Sequence, residues 1–357
     1  MNKWEYTEVE LWRYGEGDIS IYHVFGTVAV GNTVLAFAEA RHGDASDGNC
    51  LHDRAMRKSI DGGRTFFESV DILPANEKYC YTNPVPVYDE DTGRLFLFYS
   101  ENIGNTRTVN YVMNSDDLGE SWSPAYNITD IFDTPFNLAG PGHGIQLKSG
   151  EHKGRLMMQF WHRSKGVEAP AEERGYCMSL LYSDDHGETW NHSEHFGGDV
   201  MANESRLVET KKGLLWHNRT KEKHQCVSVS VDGGDTWTAF ASCPLPPVKN
   251  CDLGVISLKD NEGYDDMLLI SRISTLDARR DMAIEISYDG GESFADRFEL
   301  MHGDAMPGYN DLCIINDGEN TVGLLHCRNN HVLFSRISMQ ALTGGKYDNT
   351  SRSVWLK

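Results

Sequence analysis

Short runs of alternating apolar and polar residues recur along the chain, such as Gln225-Cys226-Val227-Ser228-Val229 and Ala283-Ile284-Glu285-Ile286. A period of two puts successive side chains on opposite faces of a β-strand. Long helical periodicity, linkers and low-complexity tracts are missing, so the pattern predicts an all-β chain. Five of the runs lead into one octapeptide, Ser-x-Asp-x-Gly-x-Thr/Ser-Trp/Phe. It begins at Ser59, Ser115, Ser183, Ser230 and Ser287, with its aspartate at Asp61, Asp117, Asp185, Asp232 and Asp289. The chemistry is that of a tight hairpin. The aspartate accepts hydrogen bonds from its own turn, the glycine takes a positive φ, and the closing aromatic packs the turn into its sheet. Copies recur at intervals of about 50–70 residues, which suits one four-stranded blade per repeat. Five marked blades and chain enough for one more predict a six-bladed β-propeller. The runs Tyr6–Tyr14 and Asn330–Ile337 are expected to share the closing blade. The turns themselves are expected to be structural.

Bulk properties narrow the rest. A ring of blades needs every neighbour for burial, so residues 1–357 are expected to form a single domain. The formal charge of −20 argues against nucleic acid, which requires a basic footprint. The start Met1-Asn2-Lys3-Trp4-Glu5 lacks the apolar core of a leader, and no apolar run would span a bilayer. The expectation is a cytoplasmic protein without a membrane partner, or a secreted one if a leader has been removed. Eight cysteines without CxxC pairing read as reduced thiols rather than disulfides or a metal centre.

Several runs place polar side chains within apolar strands, where a propeller's central channel would gather them. They include Leu35–Arg41, Ser46-Asp47-Gly48, Asn203-Glu204-Ser205, Leu214–Arg219, Arg279-Arg280-Asp281 and Pro307–Leu312. Over nearly its whole length the chain resembles the sialidases (exo-neuraminidases). The run from Ala29 to Arg41 looks like their first-blade strand, Asn83–Val87 with Thr92-Gly93-Arg94 is similar to a second-blade segment, and the octapeptides are similar to their Asp-boxes. The resemblance implies Asp47 as general acid/base, Tyr309 in Gly-Tyr-Asn-Asp-Leu as nucleophile and Glu204 as the base that activates it. It implies Arg219 and Arg279, with Arg280 as the alternative to Arg279, as the second and third arginines of a carboxylate-binding triad. Arg41 is a further candidate for holding a substrate carboxylate. The set is chemically coherent. A sialic acid carries a carboxylate on its anomeric carbon, which repels an anionic nucleophile but not a neutral phenol. A phenol with an ordinary pKa near 10 then needs a base beside it. Net retention through a covalent intermediate follows.

Two positions depart from the family together. Its first triad arginine, in Tyr-Arg-Ile-Pro, corresponds to His23 in Tyr22-His23-Val24-Phe25. The glutamate that supports that arginine, in Leu-Tyr-Glu, corresponds to Cys327 in Leu325-His326-Cys327. A buried glutamate left without its arginine costs roughly 3–5 kcal/mol, so joint loss reads as re-tuned recognition. Charged hydrogen bonds are worth roughly 1.5–3 kcal/mol each, so the missing arginine weakens sialic acid binding by one to two decades. His23 is open to three readings: a neutral inner-strand residue, a substrate contact, or a role in catalysis or metal ligation near His326 and Cys327.

The expectation is a sialidase-like retaining exo-glycosidase for a terminal acidic sugar of a glycan, with no cofactor and no metal. Its alternatives are a glycosidase or lyase for a sugar lacking the anomeric carboxylate, and a non-catalytic glycan-binding propeller.

Overall fold

The computed structural model describes residues 6–73, 80–163, 175–220, 224–258, 266–305, 308–319 and 321–347. It contains six antiparallel sheets in sequence order, the blades of a six-bladed propeller. Blade 1 is β2 (Ile19–Val30), β3 (Thr33–His42), β4 (His52–Ser59) and β5 (Val70–Leu73). Blade 2 is β6 (Tyr81–Asp89), β7 (Arg94–Ile103), β8 (Arg107–Ser115) and β9 (Tyr126–Asn127). In blade 3 the inner position is split between β10 (Asn137–Ala139) and β11 (Ile145–Gln146), which both pair with β12 (Leu156–His162), followed by β13 (Cys177–Ser183) and β14 (Asn191–His192). Blade 4 is β15 (Ser205–Thr210), β16 (Gly213–Asn218), β17 (Cys226–Ser230) and β18 (Ala241–Ser242). Blade 5 is β19 (Gly254–Ser257), β20 (Leu268–Ile273), β21 (Arg280–Ser287) and β22 (Asp296–Ala305).

Blade 6 closes the ring as expected. Its inner strands β23 (Asn310–Ile315), β24 (Thr321–Arg328) and β25 (His331–Ile337) come from the C-terminal part, and β1 (Thr7–Arg13) adds the outer strand against β25. The octapeptide always joins a blade's third strand to its fourth. In blade 6 those strands are β25 and β1, at opposite ends of the chain, so there is no hairpin to carry a sixth copy.

The five turns share one hydrogen-bond scheme. In the first, Asp61 Oδ1 accepts from Thr65 N (2.9 Å) and Ser59 Oγ (2.8 Å), while Gly63 N donates to Ser59 Oγ (2.8 Å) at φ 78°. The closing aromatic behaves differently from expectation. Three of the rings pack on the preceding blade rather than their own: Phe66 on Phe334, Trp122 on Phe37 and Trp190 on Phe98. Trp237 packs on Trp216 of its own blade.

Burial explains this. Among the described residues the buried apolar side chains form six clusters, each spanning two adjacent blades, including one between blades 6 and 1. The core is a set of layers between sheets, and box aromatics serve as wedges in it. All eight cysteines are free thiols. No helix among the described residues is long and apolar enough to cross a membrane.

Candidate active site

The start of each innermost strand and the end of the next strand out lie at the same end of the channel. His23 lies near the start of β2, Glu204 just before β15, Tyr309 just before β23, Arg41 at the end of β3 and Arg219 just after β16. Strand topology therefore gathers residues that are far apart in sequence.

On the side of blades 4 to 6 they form one hydrogen-bonded chain. The buried Tyr309 hydroxyl donates to Glu204 Oε1. The other Glu204 oxygen takes an ion pair from Arg219 at 2.5 Å, and Arg219 also lies 3.5 Å from the Tyr309 hydroxyl. Arg219 Nε donates to the side chain of Asn250, whose backbone carbonyl accepts from Arg279 at 3.1 Å. Arg280 faces outward and pairs with the exposed Asp277, so Arg279 is the one placed at the site. Burial, then the Glu204 charge, pushes the Tyr309 phenol well above its usual range, against the opposing pull of Arg219. Tyr309 is a neutral phenol with a carboxylate on its proton.

On the blade 1 side, Arg41 pairs with the buried Glu39 at 2.6 Å and with the exposed carboxylate of Asp47. Glu39 also accepts from Asn83 N at 2.7 Å and from the Thr82 hydroxyl. Burial works against the Glu39 charge, but Arg41, His52 and Arg54 outweigh it and hold the carboxyl at about 2. Asp47 touches neither Tyr309 nor Glu204. It joins the site through Arg41, on a loop where Asn105 donates to its carbonyl.

His23 stands against Tyr309 with ring centroids 4.3 Å apart in an edge-on arrangement. Burial, then the charge of Arg41, lowers its pKa to about 3, so the ring is neutral, and its Nδ1 has no hydrogen-bond partner. A bulge in β2 between His23 and Phe25 aims it, with Val24 at φ 46°. A β-branched residue at positive φ is strained, and such strain persists only where its surroundings impose it. His326 turns away to Ser335 (2.8 Å) and Cys327 hydrogen-bonds the Tyr14 hydroxyl (2.9 Å). Hence His23, His326 and Cys327 do not converge on a metal position, and Tyr14 meets the atom that stands where the family's glutamate would be.

Beneath the site lies a buried network for which the sequence offered no motif. Arg206 pairs with Asp252 at 2.6 Å and lies 3.8 Å from Asp311, which accepts from Thr27 N at 2.8 Å and contacts His143 at 3.0 Å. Burial, reinforced by the Glu204 charge, pushes the Asp252 carboxyl up despite Arg206. Gly142, at φ 86° in the break between β10 and β11, leaves room for the Arg206 guanidinium, which a Cβ would strike at 2.3 Å. Glu39 did carry a signal, a lone acid in the apolar strand Phe37-Ala38-Glu39-Ala40. A cavity of about 220 Å³ opens at the other end of the channel, lined by residues such as His143, Glu209 and Ser257, and none of the site residues borders it.

Fold and site together define an Asp-box propeller of the sialidase superfamily. Residues 68–327 match the BNR repeat-like domain, and the chain belongs to that family. It is 26% identical to a sialidase of Bacteroides fragilis over 87% of its length and 28% identical to a sialidase of Micromonospora viridifaciens over 95%. The chain spans 61% and 55% of the lengths of those two relatives. Among solved structures, the Hadza microbial sialidase Hz136 superposes with TM-score 0.81 at 24% identity, covering 94% of this chain and 69% of that one. A leech intramolecular trans-sialidase superposes with TM-score 0.78 at 19% identity, covering 95% and 71%.

Proposed function

We propose that the protein is a retaining exo-glycosidase that releases a terminal acidic sugar, a sialic acid or related ulosonic acid, from a glycan. The observation that carries this is the Tyr309–Glu204 hydrogen bond with Arg219 beside both groups. Tyr309 Oη attacks the anomeric carbon as its proton passes to Glu204. Asp47, released from Arg41 by the arriving sugar, takes up a proton from solvent and passes it to the leaving oxygen. The tyrosyl–sugar bond is then broken by a water that gives its proton to Asp47, and Tyr309 regains its own from Glu204.

Arg219 and Arg279 hold the sugar carboxylate. His23, being neutral, supplies a hydrogen bond or a packing surface rather than the charge of a third arginine. Binding of a sialic acid is therefore expected to be weaker than with three arginines, and a carboxylate turned toward the Arg219–Arg279 side is favoured.

A panel of aryl α-ketosides and neutral aryl glycosides tests the reading. Turnover of ketosides, with loss of about 10³-fold in Tyr309→Phe and 10²–10⁴-fold in Asp47→Ala, supports it. Turnover of neutral glycosides alone would show that the substrate lacks the anomeric carboxylate, and glycan binding without turnover would show a lectin-like propeller.

A further inference from the structure

Blade 3 carries a cluster that the proposed reaction does not use. It lies at the same end of the propeller as the channel site, but around the outer strands. His162 ends β12, Cys177 begins β13, His192 lies in β14 and His195 follows it. Ligand atoms of the three histidines lie within 4.8 Å of one another.

Outer contacts decide which ring nitrogens face inward. The Asn137 amide donates to the Thr134 carbonyl at 2.6 Å, so its Oδ1 is the acceptor that His162 Nδ1 meets. That leaves His162 Nε2 unprotonated toward the Ser179 hydroxyl, which also lies 2.7 Å from His192 Nε2. Asp133 Oδ1 lies 3.0 Å from His195 Nε2, which leaves His195 Nδ1 toward Cys177 Sγ at 3.7 Å. An amide or carboxylate oxygen on the far nitrogen of an imidazole is the outer-shell arrangement of metal-bound histidine. Here two of three rings have it.

We propose that His162, His192, His195 and Cys177 form a binding site for a divalent transition ion, with Zn²⁺ the best match to three imidazoles and a thiolate. His162 is fully buried and serves as the fixed ligand, while His195 is exposed. His162 and His195 stack with planes 16° apart, and parallel rings do not point at one ion. Binding therefore swings the exposed His195 out of the stack, replaces the Ser179 bridge between His162 and His192, and releases the Cys177 thiol proton to solvent.

Titrating the metal-stripped full chain with Co²⁺ tests this without reference to any sugar. The expected result is one ion per chain, with tetrahedral d–d absorption and a thiolate-to-cobalt charge-transfer band. Cys177→Ser should lose the charge-transfer band and keep the d–d absorption. His192→Ala and His195→Ala should each weaken binding by about 10-fold or more. His195 is on the surface, so its variant remains informative even if Cys177→Ser fails to fold. Octahedral absorption only, or an affinity unchanged in both histidine variants, overturns the site.

Discussion

The two walls of the channel mouth are built differently. On the side of blades 4 to 6, Tyr309, Glu204, Arg219, Asn250 and Arg279 are joined by direct hydrogen bonds, with the Glu204 carboxylate answered by Arg219 inside the wall. On the blade 1 side, Arg41 is divided between buried Glu39 and exposed Asp47, and the neutral His23 has an unpartnered nitrogen. The closed wall has the arrangement of a preorganised reacting group. The open one has groups with capacity left for a ligand, which is where a change of substrate can be accommodated without dismantling the chemistry.

The largest effect expected from this contrast is on the closed wall. Tyr309→Phe keeps the ring against His23 but removes the hydroxyl, and should cut ketoside turnover by about 10³-fold with little change in KM. Retained turnover would mean that the closed wall is only a scaffold. On the open wall, His23→Arg combined with Cys327→Glu restores an arginine and a carboxylate, which the Tyr14 hydroxyl is placed to meet. A sialic acid analogue should then bind about 10- to 100-fold tighter by calorimetry. No gain would mean that the carboxylate never approaches blade 1.

A smaller effect concerns pH. His217, on β16 two residues before Arg219, is fully buried with both ring nitrogens unpartnered, and burial lowers its pKa to about 4. Below about pH 6.5 the unfolded chain takes up a proton that the folded chain refuses, so stability falls between pH 6.5 and 4. His217→Phe should flatten that slope in urea titrations by about 1.4 kcal/mol per pH unit. An unchanged slope would show that water reaches this part of the closed wall. Smallest is the effect at the rim. Asp232→Ala removes the acceptor of one box turn and should lower stability by about 1 kcal/mol while leaving KM unaltered. A shift in KM would tie the rim to the channel mouth.

The rim was the most legible part of the sequence because its chemistry is local. Asp61 bonds to residues within four positions of itself, so the whole motif fits in eight letters and recurs. The closure by β1 was legible for the same reason, since strand-like runs at both ends leave one blade to complete. The wedge role of Phe66 was not, because its partner Phe334 lies in another blade. The site was legible only through resemblance. Glu204 and Tyr309 are separated by 105 positions, and nothing in either run requires the other. Arg206 and Asp252 escaped notice altogether and Asp311 stood out only as part of the Pro307–Leu312 run, all three being single polar residues in separate blades whose association exists only once the ring is closed. The three histidines of blade 3 sit in two runs about 30 residues apart, without ligand spacing of their own.

The most direct test of the central claim is a mechanism-based label. Incubating this protein with 2,3-difluorosialic acid and mapping its peptides by mass spectrometry should place one sugar adduct on Tyr309, absent from Tyr309→Phe. Steady ketoside turnover with an adduct on a carboxylate, or with the label still bound covalently in Tyr309→Phe, would contradict the account.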